Sequence, residues 1–284
     1  MAQEPVSHGE AVRKHWPEYL MEAGGLGAFM VSAGLFATAF EHAGSPARTW
    51  IDEPDLRRAA LGVLMGLTAI AIIYSPWGMR SGAHLNPAVT LTFWRLGKVR
   101  GVDALCYATA QFAGGALGVL LVWLLLGTAF AEKPVFFVNT VPGPNGVWPA
   151  YVAEVGMTFL LMLTVLTCVS SPRLTRFTGC FAGLLVAAYI TLLAPVSGMS
   201  MNPARSFASA LPAGLWEFLW IYFTAPVTGM LLGVEAFRRL RLGRRWFCAK
   251  LVHDARYRCI HCGHDPAGSA HPAGARMADG GPQR

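Results

Sequence analysis

Six stretches of the chain, at residues 20–40, 57–78, 102–127, 150–170, 176–196 and 214–237, stay apolar for about twenty residues with almost no charge. Coiled as helices rising about 1.5 Å per residue, each can cross a hydrocarbon core roughly 30 Å thick. The pattern predicts an all-α membrane protein with six transmembrane helices. The first span follows a polar N-terminal segment, residues 1–19, and its length predicts a membrane helix and not a cleaved signal peptide. Residues 128–149 hold Pro134, Pro142, Gly143, Pro144, Asn145, Gly146 and Pro149, and read as a loop joining two halves, 20–127 and 150–240. A tail, residues 241–284, ends in a stretch from 263 rich in Gly, Pro and Ala that is expected to lack fixed structure.

Compared with each other, the halves repeat two signals. Each opens with a span carrying one acid near its start, Glu22 and Glu154, and each places Asn-Pro-Ala after its second span in a segment too short to cross. These are Asn86-Pro87-Ala88 and Asn202-Pro203-Ala204. By average composition, two such tripeptides arise by chance in roughly one chain in several hundred to a thousand. Three spans per half invert the second half, so the two segments are predicted to enter from opposite sides as re-entrant half-helices. The interface of the inverted repeat is then the expected path for a permeant.

Asn is a strong N-cap and Pro suits the first helical position, so each motif reads as a helix start. Two starts meeting at mid-membrane present positive potential, which opposes cations and protons but not neutral molecules. The Asn amides can donate hydrogen bonds to a passing oxygen. Arg205 follows the second motif, and a charge at that depth points to function. Small residues such as Gly114, Gly115, Gly118, Gly183 and Ala187 are expected to permit close helix contact and bind nothing.

Composition agrees. Hydrophobic residues make up 54% and charged residues 14%, against about 25% charged in a soluble domain, which excludes an ordinary soluble enzyme or a disordered chain. The net charge of +7 lies entirely after residue 237. Arg238, Arg239, Arg241, Arg244 and Arg245 directly follow the last span, so the positive-inside rule puts both termini in the cytoplasm of a cell-membrane protein. The expected partner of this stretch is anionic lipid, not nucleic acid. No nucleophile–base arrangement is evident, so neither an enzyme nor a cofactor is expected.

Cys106, Cys168 and Cys180 fall in apolar spans and read as small hydrophobes. Cys248, Cys259 and Cys262 lie in the tail, which the charge rule places in a reducing compartment, so no disulfide is implied. Cys259-Ile260-His261-Cys262 has half of a zinc-site spacing; the usual distant second pair is missing, and Gly263 removes a c-type haem motif. The tail is read as a reduced, membrane-associated segment without metal. Cys259, Cys262, His253 and His264 are its candidate ligands should one bind, with Cys248 and His253 completing four.

The segments His84-Leu85-Asn86-Pro87-Ala88-Val89-Thr90, preceded by Ser81-Gly82-Ala83, and Met201-Asn202-Pro203-Ala204-Arg205-Ser206-Phe207 closely resemble the signature loops of the aquaporin family. The resemblance covers about residues 18–240. It implies six tilted helices and two half-helices, one pore per subunit, a homotetramer, and passive conduction of water or small neutral solutes. It also implies that Glu22 and Glu154 hydrogen-bond the pore loops; His84 is read as a structural member of its loop. By the same resemblance a constriction is formed by Ile190, Met199, Arg205 and a second-helix residue. That residue is Gly66 if the following loop has the usual length, or Met65 if one residue is inserted near Pro76-Trp77.

These side chains lack the aromatic and His pattern of water-selective members and the aromatic–Gly pattern of glycerol-type members, which suggests a wider, less polar constriction. Ser206, Ala210, Tyr222 and Phe223 match the water-type pattern instead. The expectation is water conduction with passage of small uncharged solutes, the alternative being a glycerol-type facilitator with water secondary. A proton-coupled transporter would need further ionisable residues at mid-membrane.

Overall fold

The computed structural model describes residues 8–240 and 248–266, which contain eleven α-helices. Six are long and apolar enough to cross a membrane: α1 (His8–Glu41), α3 (Pro54–Tyr74), α6 (Gly101–Leu126), α8 (Val147–Val169), α9 (Thr178–Ser197) and α11 (Leu219–Arg239). The short ones are α2 (Pro46–Trp50), α4 (Pro76–Ser81), α5 (Pro87–Arg95), α7 (Thr128–Ala131) and α10 (Pro203–Ala213). The architecture is the all-α membrane fold that the hydropathy pattern predicts. Residues 1–7, Arg241, Arg244, Arg245 and everything after 266 lie outside the described residues, as does most of the stretch expected to lack fixed structure.

Helix boundaries depart from the apolar runs where polar chemistry intervenes. The first helix starts at His8 instead of residue 20 and runs through Gly9 and Pro17, its leading turns supported by a Glu10–Lys14 ion pair one turn apart. The second span stops at Tyr74. Ser75 then ends α3 and caps α4, its hydroxyl accepting from the Gly78 amide at 3.0 Å, and Pro76 opens the new helix. The last span begins at Leu219 and not at 214, because Gly214 takes a left-handed φ of +64° to end α10.

The helices pack as a duplicated unit. α1 lies along α6 and α8 along α11, while α3 meets α9 across the middle. Thus α1, α3, α5 and α6 of the first half correspond to α8, α9, α10 and α11 of the second. Small residues do sit at the crossings: a Cβ at Gly183 would lie 2.6 Å from the Gly66 carbonyl, and one at Gly118 2.5 Å from that of Gly27. Leu105, Leu117, Leu124, Leu160, Leu184 and Leu192 point outward and remain exposed, as a lipid-facing surface requires.

Candidate functional site, a conduit between two facing half-helices

Each Asn-Pro-Ala motif starts a half-helix. Asn86 takes extended backbone, its Oδ1 accepts from the Ala88 amide at 2.9 Å, and Pro87 is the first residue of α5. Asn202 accepts from Ala204 at 3.0 Å and Arg205 at 3.3 Å, and Pro203 opens α10. With nine and eleven residues, the half-helices span about 14 and 16 Å, roughly half a hydrocarbon core. They meet through their caps: Asn86 Nδ2 donates to the Met201 carbonyl at 2.7 Å, and Asn202 Nδ2 to the Leu85 carbonyl at 2.7 Å. Each amide has a second N–H besides this bond, and both Asn residues line the cavity described below. The facing N-termini place roughly half a positive charge each at one level.

The loops leading to these caps are strained, and one carboxylate holds each. Gly82 (φ +111°) and Gly198 (φ +73°) end α4 and α9, after which Ala83 and Leu85, like Met199 and Met201, are left-handed. Each such non-glycine residue costs about 1–3 kcal/mol. Glu22 Oε1 accepts from the Ser81 hydroxyl (2.7 Å) and the His84 amide (3.1 Å), while Oε2 accepts from the Leu85 amide (2.6 Å) and Gln111 Nε2 (2.8 Å). Glu154 Oε1 accepts from the Ser197 hydroxyl and the Ser200 amide, both at 2.8 Å, and Oε2 from the Met201 amide at 2.7 Å. Tyr107 and Tyr222 donate to the Ser81 and Ser197 carbonyls, each at 2.7 Å. His84 is buried; its Nε2 donates to the Ala249 carbonyl at 2.7 Å and its Nδ1 lies 3.0 Å from the Thr90 hydroxyl. Motif reading alone missed Ser81, Ser197, Gln111 and Tyr107. The Ser-Gly pair standing five residues before each Asn was the available signal.

A cavity of about 410 Å³ runs past both Asn residues. Its wall is apolar except at His84, Asn86, Asn139, Ser200, Asn202 and Arg205. Ile190, Met199 and Arg205, which the family resemblance places at a constriction, line it. Gly66 does not: a Cβ there would lie 2.6 Å from the Gly183 carbonyl, so this position faces α9. Its neighbour Met65 lines the cavity instead and packs with Ile190 and Met199. Of the two alternatives the sequence leaves open, it is Met65 that reaches the cavity; the break at Ser75 makes the distance from α3 to the loop unreadable from a residue count. Met65→Ala is expected to widen the cavity and favour larger neutral solutes over smaller ones, while Gly66→Ala should leave that preference unchanged and destabilise the protein by about 1–3 kcal/mol. Permeability ratios and melting in detergent test this, and the reverse pattern would restore Gly66.

The connecting loop contributes to the same end of the cavity. Asn139 and Val138 line it, and the loop is tied down by Thr140 and Ser206 hydroxyls at 2.6 Å and by the Gly143 amide to the Val196 carbonyl at 2.9 Å. Asn139 Nδ2 and Arg205 Nη1 are both buried and find no hydrogen-bond partner among the described residues. Donors in that condition suit a permeant carrying hydroxyls. The sequence reading took this segment for a connector only.

On the face where both described ends of the chain emerge, the tail folds under the first loop. The thiols of Cys248, Cys259 and Cys262 and a ring nitrogen of His253 all lie within 4.8 Å of one another. His264 stands apart from that set, its Nε2 bonded to the Ala255 carbonyl at 2.9 Å, so Cys248 takes the place the sequence reading gave it. Cys248 and Cys259 are 3.2 Å apart; the bond between them pushes the Cys248 thiol up and draws Cys259 well below the ordinary thiol range. Arg258 grips Glu18 through two bonds of 2.8 Å, which raises its pKa further and keeps it a permanent cation.

An inverted repeat whose two half-helices face each other across one cavity lined from both halves is the framework of a membrane channel. Residues 16–237 match the family model described as major intrinsic protein, and the chain belongs to that family. It is a channel protein and not an enzyme. It is 38% identical over 177 residues to a probable aquaporin AqpM of Archaeoglobus fulgidus, covering 60% of this chain and 71% of the relative. It is 31% identical over 213 residues to a probable aquaporin NIP7-1 of Arabidopsis thaliana, covering 75% of each. The X-ray structure of the aquaglyceroporin from Plasmodium falciparum superposes with a TM-score of 0.65 at 20% identity, over 80% of this chain and 97% of that one.

Proposed function

We propose that the protein is a facilitator for small uncharged polyols of the glycerol class, with water as a second permeant. The observation that carries this is the lining of the cavity: Met65, Ile190 and Met199 supply apolar wall, and Arg205 with Asn139 supplies donors. A polyol has a carbon face for the first and hydroxyls for the second, whereas water gains nothing from an apolar wall. This shifts the weight from water, the permeant the sequence favoured, to its alternative.

Ion and proton exclusion follows from the positive helix ends and the Arg205 guanidinium, which leave a cation with no compensation for its lost hydration. A proton-coupled transporter is disfavoured because Glu22 and Glu154 are engaged by loop donors, and His84 and Arg205 are the remaining ionisable groups on the described cavity wall. The basic run after α11 argues for termini on the cytoplasmic side of a cell membrane, with anionic lipid beside it. The family's usual homotetramer would cover part of the exposed leucine surface.

Stopped-flow light scattering on proteoliposomes tests the reading. Vesicles should shrink quickly in an impermeant sugar and re-swell quickly in glycerol, against slow empty-liposome baselines. Fast shrinkage with baseline re-swelling would leave a water channel. Arg205→Val is expected to increase urea and proton leak, and unchanged leak would remove the proposed exclusion role.

A further inference from the structure

We propose that Cys248, His253, Cys259 and Cys262 bind one zinc ion, and that the metal-held tail is a plug at the adjacent mouth of the conduit; the second part rests on the channel reading above. Three thiols and one imidazole form the donor set of a closed tetrahedral zinc site. With Zn–S bonds of about 2.3 Å, tetrahedral ligands sit roughly 3.8 Å apart, and the separations here run from 3.2 Å to at most 4.8 Å. All three cysteines are free. On binding, each thiol gives up its proton to solvent and coordinates as thiolate, while His253 coordinates through one neutral ring nitrogen.

The chain around the donors is built to converge them. Cys259 to Cys262 forms a tight turn in which the Cys262 amide points at Cys259 Sγ (3.5 Å) and the Gly263 amide donates to the Cys259 carbonyl (3.0 Å). Gly263 has a φ of +77°, which a side chain would resist. Three thiolates and one Zn²⁺ leave one net negative charge, and the ammonium of Lys250, 1% exposed, lies within electrostatic range of all three sulfurs. Lys250 Nζ also donates to the Met79 and Arg258 carbonyls, at 3.0 and 2.8 Å, and the Glu18 carboxylate acts on it as well.

The same segment reaches the conduit. Between the first ligand and His253, the Ala249 carbonyl accepts from His84 and the Leu251 amide donates to the Gly82 carbonyl at 3.1 Å. Leu251 is among the residues lining the cavity and belongs to the same apolar cluster as Ile73 and Val165. His261, inside the Cys-x-x-Cys turn, stacks on His84 with ring centres 5.7 Å apart. The loop of the second half is covered instead by the connecting loop, whose Thr140 and Val141 pack on Gly198. Removing the metal frees the segment that carries Leu251, so loading and conduction are coupled.

Full-length protein from metal-replete cells is assayed for zinc by mass spectrometry, for tail protection by limited proteolysis, and for glycerol and water flux in proteoliposomes, before and after chelation. One zinc per chain is expected, with flux rising several-fold on chelation and falling again on zinc addition. Cys259→Ser with Cys262→Ser should lose zinc and conduct like the chelated protein. Leu251→Ala should keep zinc and tail protection yet conduct fast whether chelated or not, which separates the plug from any loss of folding. Absence of zinc, or a Cys248–Cys259 disulfide in its place, overturns the site; zinc-bound and chelated protein of equal flux overturns the plug. If every preparation conducts at the empty-liposome rate, the channel reading and the plug fall together, while zinc content and protease protection still decide the site.

Discussion

Glu154→Ala is expected to abolish conduction and to leave little folded protein in detergent. Its carboxylate accepts from the Ser197 hydroxyl and the Ser200 and Met201 amides, all buried. Without it these donors are stranded at about 1–3 kcal/mol each, a large fraction of the 5–15 kcal/mol that holds a typical fold. The left-handed backbone at Met199 and Met201, which the same bonds hold in place, is then free to relax. Relaxation moves the Met201 carbonyl away from Asn86, so the damage crosses to the other half through the 2.7 Å bond that joins them. Glu154→Gln should fall between: its remaining oxygen can keep Ser197 and Ser200, but its amide opposes the Met201 N–H. Glu22→Ala should behave like Glu154→Ala, since Glu22 has four donors in the matching place. Yield of monodisperse protein, melting in detergent and water permeability make the comparison. Wild-type values for Glu154→Ala would mean that the loop is held by packing and not by the carboxylate.

The parts of this site that were legible in the sequence are those whose chemistry is local. Asn before Pro announces a capped helix start from two adjacent residues, and a helix starts at each motif. The roles of Glu22 and Glu154 come from the family resemblance and not from local pattern, because their donors lie 43 to 89 residues away. The sequence leaves Met65 and Gly66 open because the helix breaks at Ser75, which hides how much chain separates α3 from the loop, and on a helix a shift of one residue turns a side chain by about 100°. Asn139 was invisible for another reason. Its position over the cavity depends on the Thr140–Ser206 contact, between residues 66 apart in sequence, and no periodic pattern reports such a contact. The tail shows both cases: the Cys-x-x-Cys half was readable, but the choice of Cys248 over His264 depends on how the chain folds back beneath Gly82.

Gly114→Ala and Gly229→Ala should each prevent assembly, although each adds one carbon. A Cβ at Gly114 would stand 2.1 Å from the Ala23 carbonyl oxygen and 2.5 Å from its Cα; one at Gly229 would stand 2.2 Å from the Val155 carbonyl and 2.1 Å from the Thr158 hydroxyl. The obstacle is mostly helix backbone, which cannot rotate out of the way as a side chain can, so α1 must part from α6, or α8 from α11. Ala23 and Val155 each adjoin a loop-holding acid, Glu22 and Glu154. A displacement of about 1 Å stretches their hydrogen bonds past the range in which such bonds contribute, so a packing fault becomes a fault of the pore. The expected cost is at least about 3 kcal/mol in either variant. Gly156 supplies the contrast: it lies on the exposed face of the same helix as Glu154, with nothing within 4 Å of its Cβ position. Gly156→Ala should be neutral or slightly stabilising, by up to about 1 kcal/mol, because it restricts the unfolded chain. Membrane yield and permeability of the three variants decide the matter. Normal assembly of Gly114→Ala or Gly229→Ala would show that the helices have room to separate without dragging the carboxylates from their loops.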